Sequence, residues 1–282
     1  MAKSREVAVA ICTSRKPVPG CLEALREQVP PERLVVVASG GGEGDVVEPR
    51  PGLSHARNRA VAWAEENGAE ILAFVDDDAI AEPGWYEALA RRWDEADSGV
   101  ACIGGPIRPR FAAEPPSWYS DAIKHVLTLV DRGPRARDLD PDLEAVYGAN
   151  ISFRVGPLRE AGGFDPALGH SGKRVFFGEE DEAQRALVRL GYRIRYVPDA
   201  AVWHVIPATR LTRRSFVRRR FNFGVSLGAR GRRERGLAAR NAVRGLAGAA
   251  LARDPKLRMD RAVRAAENAG ALYGSIRPRR IA

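Results

Sequence analysis

Four short apolar runs punctuate the first hundred residues: 7–12 (VAVAIC), 34–38 (LVVVA), 71–75 (ILAFV) and the weaker 100–105 (VACIGG). Each is rich in β-branched residues and bounded by Gly, Pro or charge, the signature of strands buried on both faces. The stretches between them, CLEALREQ, HARNRAVAWAEENG and WYEALARRWDEA, space their apolar residues as amphipathic helices do. Strands separated by helices predict an α/β fold with a mostly parallel sheet flanked by helices. Ligands of such sheets sit beyond the carboxyl ends of the strands, which directs attention to residues 13–16, 39–45 and 76–78.

Beyond residue 105 the pattern changes. Residues 106–142 contain Pro-rich, Trp/Tyr-bearing loops such as FAAEPPSWYSD, read as a covering or acceptor-facing excursion. A strand-like NISFRV follows, then a short helix ending at Gly162 and Gly163. GEEDEAQRALVRLG predicts a helix with an acidic first turn, and 193–197 and AVWHVI predict two further strands. The Ala- and Arg-rich remainder, with scattered Gly, predicts helices. The expected organisation is 1–105 as one half of a domain, 106–205 as its second half and 206–282 as a helical extension.

At 282 residues the chain can bury a core without a disulfide or metal staple. Cys12, Cys21 and Cys102 have no metal-type spacing and are read as buried apolar residues of a reducing compartment. No apolar run approaches the roughly 20 residues that span a bilayer. The N-terminus reads as a strand rather than a signal segment, so the expected location is cytoplasmic. From 206 onward there are 20 Lys plus Arg against 4 Asp plus Glu, so residues 1–205 are net −7 and the tail is net +16. That asymmetry predicts either an anionic partner or a solvated helical face packed on the body.

The strongest chemical feature is the strand ILAFV running into Asp76, Asp77 and Asp78. Three adjacent anions at the end of a buried strand need a compensating cation. If strand geometry continues, Asp76 and Asp78 leave on one side and Asp77 on the other. Oxygen ligands so spaced suit Mg²⁺ or Mn²⁺ holding a diphosphate, whereas a surface acidic turn before the helix near Pro83 would explain the triplet equally simply. Arg57 and Asn58, read at the start of a helix, suit an anion or a base edge. Glu179, Glu180 and Asp181 either stabilise a helix N-terminus or include a general base. His204 is either a packing residue or a ligand.

The order of these segments, TSR after a first strand, GLSHARN, FVDDD, GANISFRVGPLREAGGFDPALG and FGEEDEAQRALVRLGYRIRYVPDAAVWH, resembles glycosyltransferase family 2, inverting enzymes of the GT-A fold, over roughly residues 6–225. The tail segment HVIPATRLTRRSFVRRRFNFGVSLG resembles bacterial exopolysaccharide-type members. The resemblance implies that Thr13, Arg15 and Arg57 face the nucleotide, and that Asp76 and Asp78 are the outer members of a DXD motif holding ribose and metal-bridged diphosphate, with Asp77 between them. It places Gly163 and Asp165 near the sugar and acceptor, and His204 with Asp76 and Asp78 at the metal. In the acidic cluster it favours Asp181 as base, then Glu180, then Glu179. An Asp that reads the nucleobase after the second strand in many relatives is missing from ASGGGEGD, which leaves Asp45.

The expected reaction is an inverting transfer, with Mn²⁺ or Mg²⁺, from a nucleotide diphosphate sugar, UDP-linked by default, to a hydroxyl of a saccharide, lipid-linked or small-molecule acceptor. RLTRRSFVRRRFNFG interleaves Arg with Leu and Phe as an interfacial helix does, predicting peripheral contact with an anionic membrane at its inner face. A sugar-phosphate nucleotidyltransferase and a non-enzymatic nucleic-acid binder are the alternatives. The first needs a better phosphate loop than TSRKPVPG, and the second leaves the acidic residues unexplained and has no base-reading module.

Overall fold

The computed structural model describes residues 6–171, 174–175 and 177–276. They form two compact units, one of residues 6–109, 129–171 and 178–205, the other of 110–128, 174–175, 177 and 206–276.

In the first unit the predicted runs are strands β1 (Val7–Thr13), β2 (Leu34–Ser39), β4 (Ile71–Phe74) and β6 (Val100–Gly104). Shorter strands are β3 (Val46–Glu48), β5 (Ala79–Ala81), β7 (Ile107–Phe111), β8 (Arg137–Leu139), β9 (Ile151–Arg154), β10 (Arg193–Tyr196) and β11 (Val202–Ile206). The helices are α1 (Cys21–Arg26), α2 (Leu53–Glu66), α3 (Trp85–Glu95), α4 (Val155–Glu160) and α5 (Glu179–Arg189). Among the described residues the main sheet has the order β3-β2-β1-β4-β9-β6-β10-β8. Parallel pairing joins β3, β2, β1 and β4, and joins β6 to β10, whereas β9 and β8 run antiparallel to their neighbours. β1 is buried at all seven positions, as covered faces require.

The reversal at β9 follows from its connection. The excursion after β6 is no helical crossover, so the chain returns at the carboxyl end of β6 and enters the gap backwards, pairing Ile151 with both Gly104 and Phe74. Asn150 fixes that entry. Its amide donates to the carbonyls of Pro106 (3.0 Å) and Ala200 (2.8 Å), and its oxygen accepts the Trp85 indole N–H at 3.0 Å. Beneath the sheet, Phe74, Phe153 and Phe164 meet edge to face.

In the second unit, α6 (Arg213–Ala229), α7 (Arg235–Leu251) and α8 (Pro255–Ile276) pack closely. Gly224, Gly228, Gly270 and Gly274 are not scattered, as the sequence suggested; they lie where helices touch. A Cβ built on Gly224 or Gly228 would overlap the carbonyl of Glu267 or Ala271, and one on Gly270 or Gly274 that of Phe221 or Val225. Two small-xxx-small pairs, on α6 and α8, thus let the backbones meet. Gly228→Leu should cost about 3 kcal/mol, the upper end for overpacking. A denaturant midpoint equal to that of the parent would contradict this packing.

The interfacial reading of α6 does not survive. Leu211 and Phe216 are buried, Phe216 against Trp118 with ring centroids 5.1 Å apart, and Phe221 and Phe223 pack on Tyr273 and Phe177. The Arg–aromatic interleaving serves internal packing, with Arg220 stacked 4.3 Å from the Phe223 centroid. Among the described residues no helix is long and apolar enough to cross a membrane.

Candidate active site

The acidic triplet is a turn rather than a strand end. Strand geometry stops at Phe74, and the Ala79 N–H donates to the Asp76 carbonyl at 3.0 Å, closing a turn into β5. The expected alternation of the three side chains therefore fails: Asp76 lies against Arg57, while Asp77 and Asp78 share Arg15. Arg15 donates to Asp77 through Nε (3.0 Å) and Nη2 (2.7 Å), and Nη2 also reaches Asp78 at 3.3 Å. The Thr13 hydroxyl donates to Asp77 Oδ2 at 2.5 Å and accepts the Arg15 N–H at 3.0 Å. The post-β1 turn, expected to face a nucleotide, is in this state tied to Asp77 by those bonds. The Arg15 guanidinium is held charged chiefly by its hydrogen bond to Asp77.

Asp78 is buried, and His204 Nε2 lies 3.2 Å from its Oδ1. Strand pairing makes this contact. β11 runs antiparallel to β5 with His204 opposite Ala79, and the Val205 N–H donates to the Asp78 carbonyl at 2.8 Å. A carboxylate and an imidazole form a donor pair that suits Mn²⁺. Among the described residues no group of three His, Cys, Asp or Glu side chains could hold an ion alone. An octahedral ion held by this pair would need its remaining ligands from other sources.

Arg57 is not at the helix start. α2 begins at Leu53, and Arg57 sits one turn in, 2% exposed, with its guanidinium beside the rings of Phe74 and Phe164 at 5.7 and 5.5 Å. It faces three carboxylates: Glu179 at 2.9 Å, Asp76 at 3.5 Å and Glu180 at 3.7 Å. Gly148 makes room for it, because a Cβ there would strike the guanidinium. One buried cation cannot neutralise three anions, so the cluster retains protons. Burial, then the neighbouring Glu180, push Glu179 up to about 8 against the pull of Arg57. Desolvation, opposed by Arg57 and reinforced by Asp78 and Glu180, raises Asp76 to about 6, although its side chain keeps 35% exposure and water reaches one edge. Asp76 feels Arg57, Asp78, Glu180 and His204 together, which places the turn after β4, the start of α5 and β11 around one centre.

α5 presents its acids differently from the sequence ranking. Gly178, at φ 99°, turns the chain so that Glu179 is driven inward, 3% exposed. Glu179 is therefore the buried hydrogen-bond partner of Arg57 and too enclosed to serve as an acceptor-facing base. Glu180 keeps 17% of its side chain exposed, and Asp181 is half-buried beside it. Gln184 locks the helix: its amide donates to the Val146 carbonyl (2.9 Å) and accepts the Val146 N–H (3.0 Å).

Of the remaining expected residues, Gly163 and Asp165 lie in a loop held by Asn58, whose side chain donates to the Phe164 carbonyl (2.7 Å) and accepts its N–H (2.9 Å). Asp165 is exposed and accepts the Ala167 N–H at 2.9 Å, an Asx turn. Asp45, also exposed, accepts the Val36 N–H at 2.8 Å and so closes the β2–β3 connection. Sequence reasoning missed Glu48, buried at the carboxyl end of β3 and held well below the usual carboxylate range by Arg50, together with Asn150, Gly148 and Gln184. Glu48 carried one usable signal, an acid closing an apolar dipeptide beyond the glycines.

The architecture is the GT-A fold. Residues 45–161 match the family model "Glycosyl transferase family 2". It is 31% identical over 153 residues to the glucosyl-dolichyl phosphate glucuronosyltransferase of Haloferax volcanii, covering 52% of this chain and 48% of that protein. The chain thus spans about half the length of this curated relative. Among solved structures it resembles the Pyrobaculum calidifontis mannosyltransferase PcManGT in complex with GDP-Man and Mn²⁺, with TM-score 0.55, 18% identity, and coverage of 98% of this chain and 74% of that one. GalNAc-T7 with UDP, GalNAc and Mn²⁺ gives TM-score 0.53 and 14% identity over 82% of this chain and 51% of that one. The family match includes Arg57 and the acidic triplet; Thr13, Arg15, the α5 acids and His204 lie outside it.

Proposed function

We propose that the protein is a metal-dependent, inverting glycosyltransferase that moves a sugar from a nucleotide diphosphate sugar to a hydroxyl. The observation that carries this reading is the convergence of Asp78 and His204 with the Arg57-centred carboxylates of α5 around Asp76. Asp78 and His204 would hold Mn²⁺ or Mg²⁺, which when bound supplies Lewis-acid stabilisation of the leaving diphosphate. Asp76 and Arg57 shape the ribose and diphosphate side of the centre, and Thr13 and Arg15, through Asp77, fix the turn that carries Asp78. Asp45 remains the candidate for reading the nucleobase, and UDP remains the default nucleotide.

A carboxylate at the start of α5 accepts the acceptor proton as its oxygen attacks from the face opposite the diphosphate, which inverts the anomeric centre. Exposure makes Glu180 our first candidate, with Asp181 its neighbour, and the loop of Gly163 and Asp165 flanks the sugar. Glu180→Gln should lower kcat by about 10²–10⁴ with little change in donor KM. Asp181→Asn is measured beside it, and full rates in both variants would overturn a carboxylate base on this helix.

The name of the Haloferax relative supports a lipid-linked saccharide as the acceptor class. A cytoplasmic location with peripheral contact to an anionic membrane through the basic C-terminal segment fits such an acceptor. The nucleotidyltransferase alternative loses its phosphate loop, because Arg15 is engaged by Asp77 and Asp78.

A further inference from the structure

We propose that the outward face of α7 is a docking surface for a bilayer rich in anionic phospholipid. The proposal rests on the membrane part of the reading above and deepens it by naming the element, which is not the α6 segment that the sequence pointed to. Val243, Leu246, Ala247, Ala250 and Leu251 are all exposed and follow the i, i+3, i+4, i+7, i+8 spacing of a single helix stripe. Val243 is 67% exposed, Leu246 61% and Leu251 81%, and Leu257, at the start of α8, is exposed as well. The opposite face is buried through small residues only, Ala238, Ala242 and Ala249. Gly245 and Gly248 lie there too, close to Ala265 and Arg261 of α8. The helix thus turns its large apolar side chains outward and its small ones inward, the reverse of a surface helix in water.

The charge around the stripe identifies the occupant. Arg240 and Arg244 lie on α7, Arg253 in the connection to α8 and Lys256 in the first turn of α8; all four are exposed, and among the described residues their side chains make no ion pair. Between residues 235 and 258 the one acid is Asp254, which accepts the Lys256 N–H at 3.0 Å. A second copy of the chain stacked face to face would set Arg240 and Arg244 against their own equivalents, a repulsive arrangement. Lipid headgroups answer the arginines while the acyl boundary takes the leucines, the two signals that hold an interfacial helix. On α6, by contrast, the aromatic residues that would insert are packed internally.

The test is co-sedimentation of the full chain with phosphatidylcholine vesicles, with and without phosphatidylglycerol. The parent protein is expected to sediment only with the anionic vesicles. Leu246→Ser/Leu251→Ser and Arg240→Gln/Arg244→Gln should each lower partitioning about tenfold, with unchanged thermal midpoints because the altered side chains are exposed. Arg214→Gln/Arg218→Gln on α6 serves as the charge-matched control and should bind as the parent does. Parent-like binding by both α7 variants would overturn the assignment to α7 while leaving membrane contact standing. Failure of the parent to sediment would overturn both, and sugar transfer, measured separately, is independent of either result. A lipid-free dimer abolished by Leu246→Ser/Leu251→Ser, or nucleic-acid binding lost only in the arginine variant, would also overturn the proposal.

Discussion

Arg57→Met is expected to lower the unfolding free energy by about 3–5 kcal/mol, the range for removing one partner of a buried ionic cluster. The guanidinium lies against the carboxyl groups of Glu179, Asp76 and Glu180 and packs beside two phenylalanine rings. Met matches the volume and keeps the ring contacts, so the loss reports on charge. The cause can be isolated, because Glu179→Gln added to Arg57→Met removes the ionisable carboxyl group buried most deeply beside Arg57. The double variant should recover part of the stability, and strictly additive losses would show that Arg57 and Glu179 are not coupled.

The same cluster gives a pH dependence. Glu179 is raised from 4.5 to about 8 on folding, so between those values the folded chain holds a proton that the unfolded chain has released. Its contribution is fully present below about pH 4.5 and is lost as pH rises through 8. In denaturant titrations across this window, Glu179→Gln should flatten the fall in stability toward alkaline pH. An unchanged slope would contradict the protonated reading of Glu179.

Asp78→Asn is expected to lower kcat by about 10²–10³ or more, the scale for removing one element of a preorganised electrostatic site. The substitution keeps the side-chain shape next to His204 and removes the charge. It should hardly affect folding, since Arg15 keeps its two-pronged contact with Asp77. Its diagnostic is the metal titration: the parent rate should collapse with chelator and return with Mn²⁺, while the variant should respond weakly at any concentration. Equal metal response in both proteins would remove Asp78 from the ion.

The parallel strands were legible because unbroken apolar runs such as VAVAIC have no other comfortable state than a strand covered on both faces. Positions just past β1 and β4 were legible for the same reason, since the fold class fixes where functional groups can stand. The direction of β9 was not, because it depends on where a long irregular connection delivers the chain. The sequence also could not show Arg57 as buried. Its partners are 122 and 123 residues away at Glu179 and Glu180, and the space for it comes from a missing side chain at Gly148. In the C-terminal unit, Arg–Phe interleaving on α6 reads identically whether the rings meet lipid or meet Phe177 and Tyr273. Only packing distinguishes the two, and it moves the exposed apolar surface to α7, whose plain Ala–Leu sequence gave no warning.

The central claim is that Asp78 and His204 hold a divalent ion that grips a nucleotide diphosphate. Isothermal titration of UDP into the full chain, with Mn²⁺ and with chelator, tests it most directly. The account predicts that Mn²⁺ tightens binding by about tenfold or more and that Asp78→Asn loses the gain. Equal affinity with and without the ion, or an undiminished gain in the variant, would contradict it.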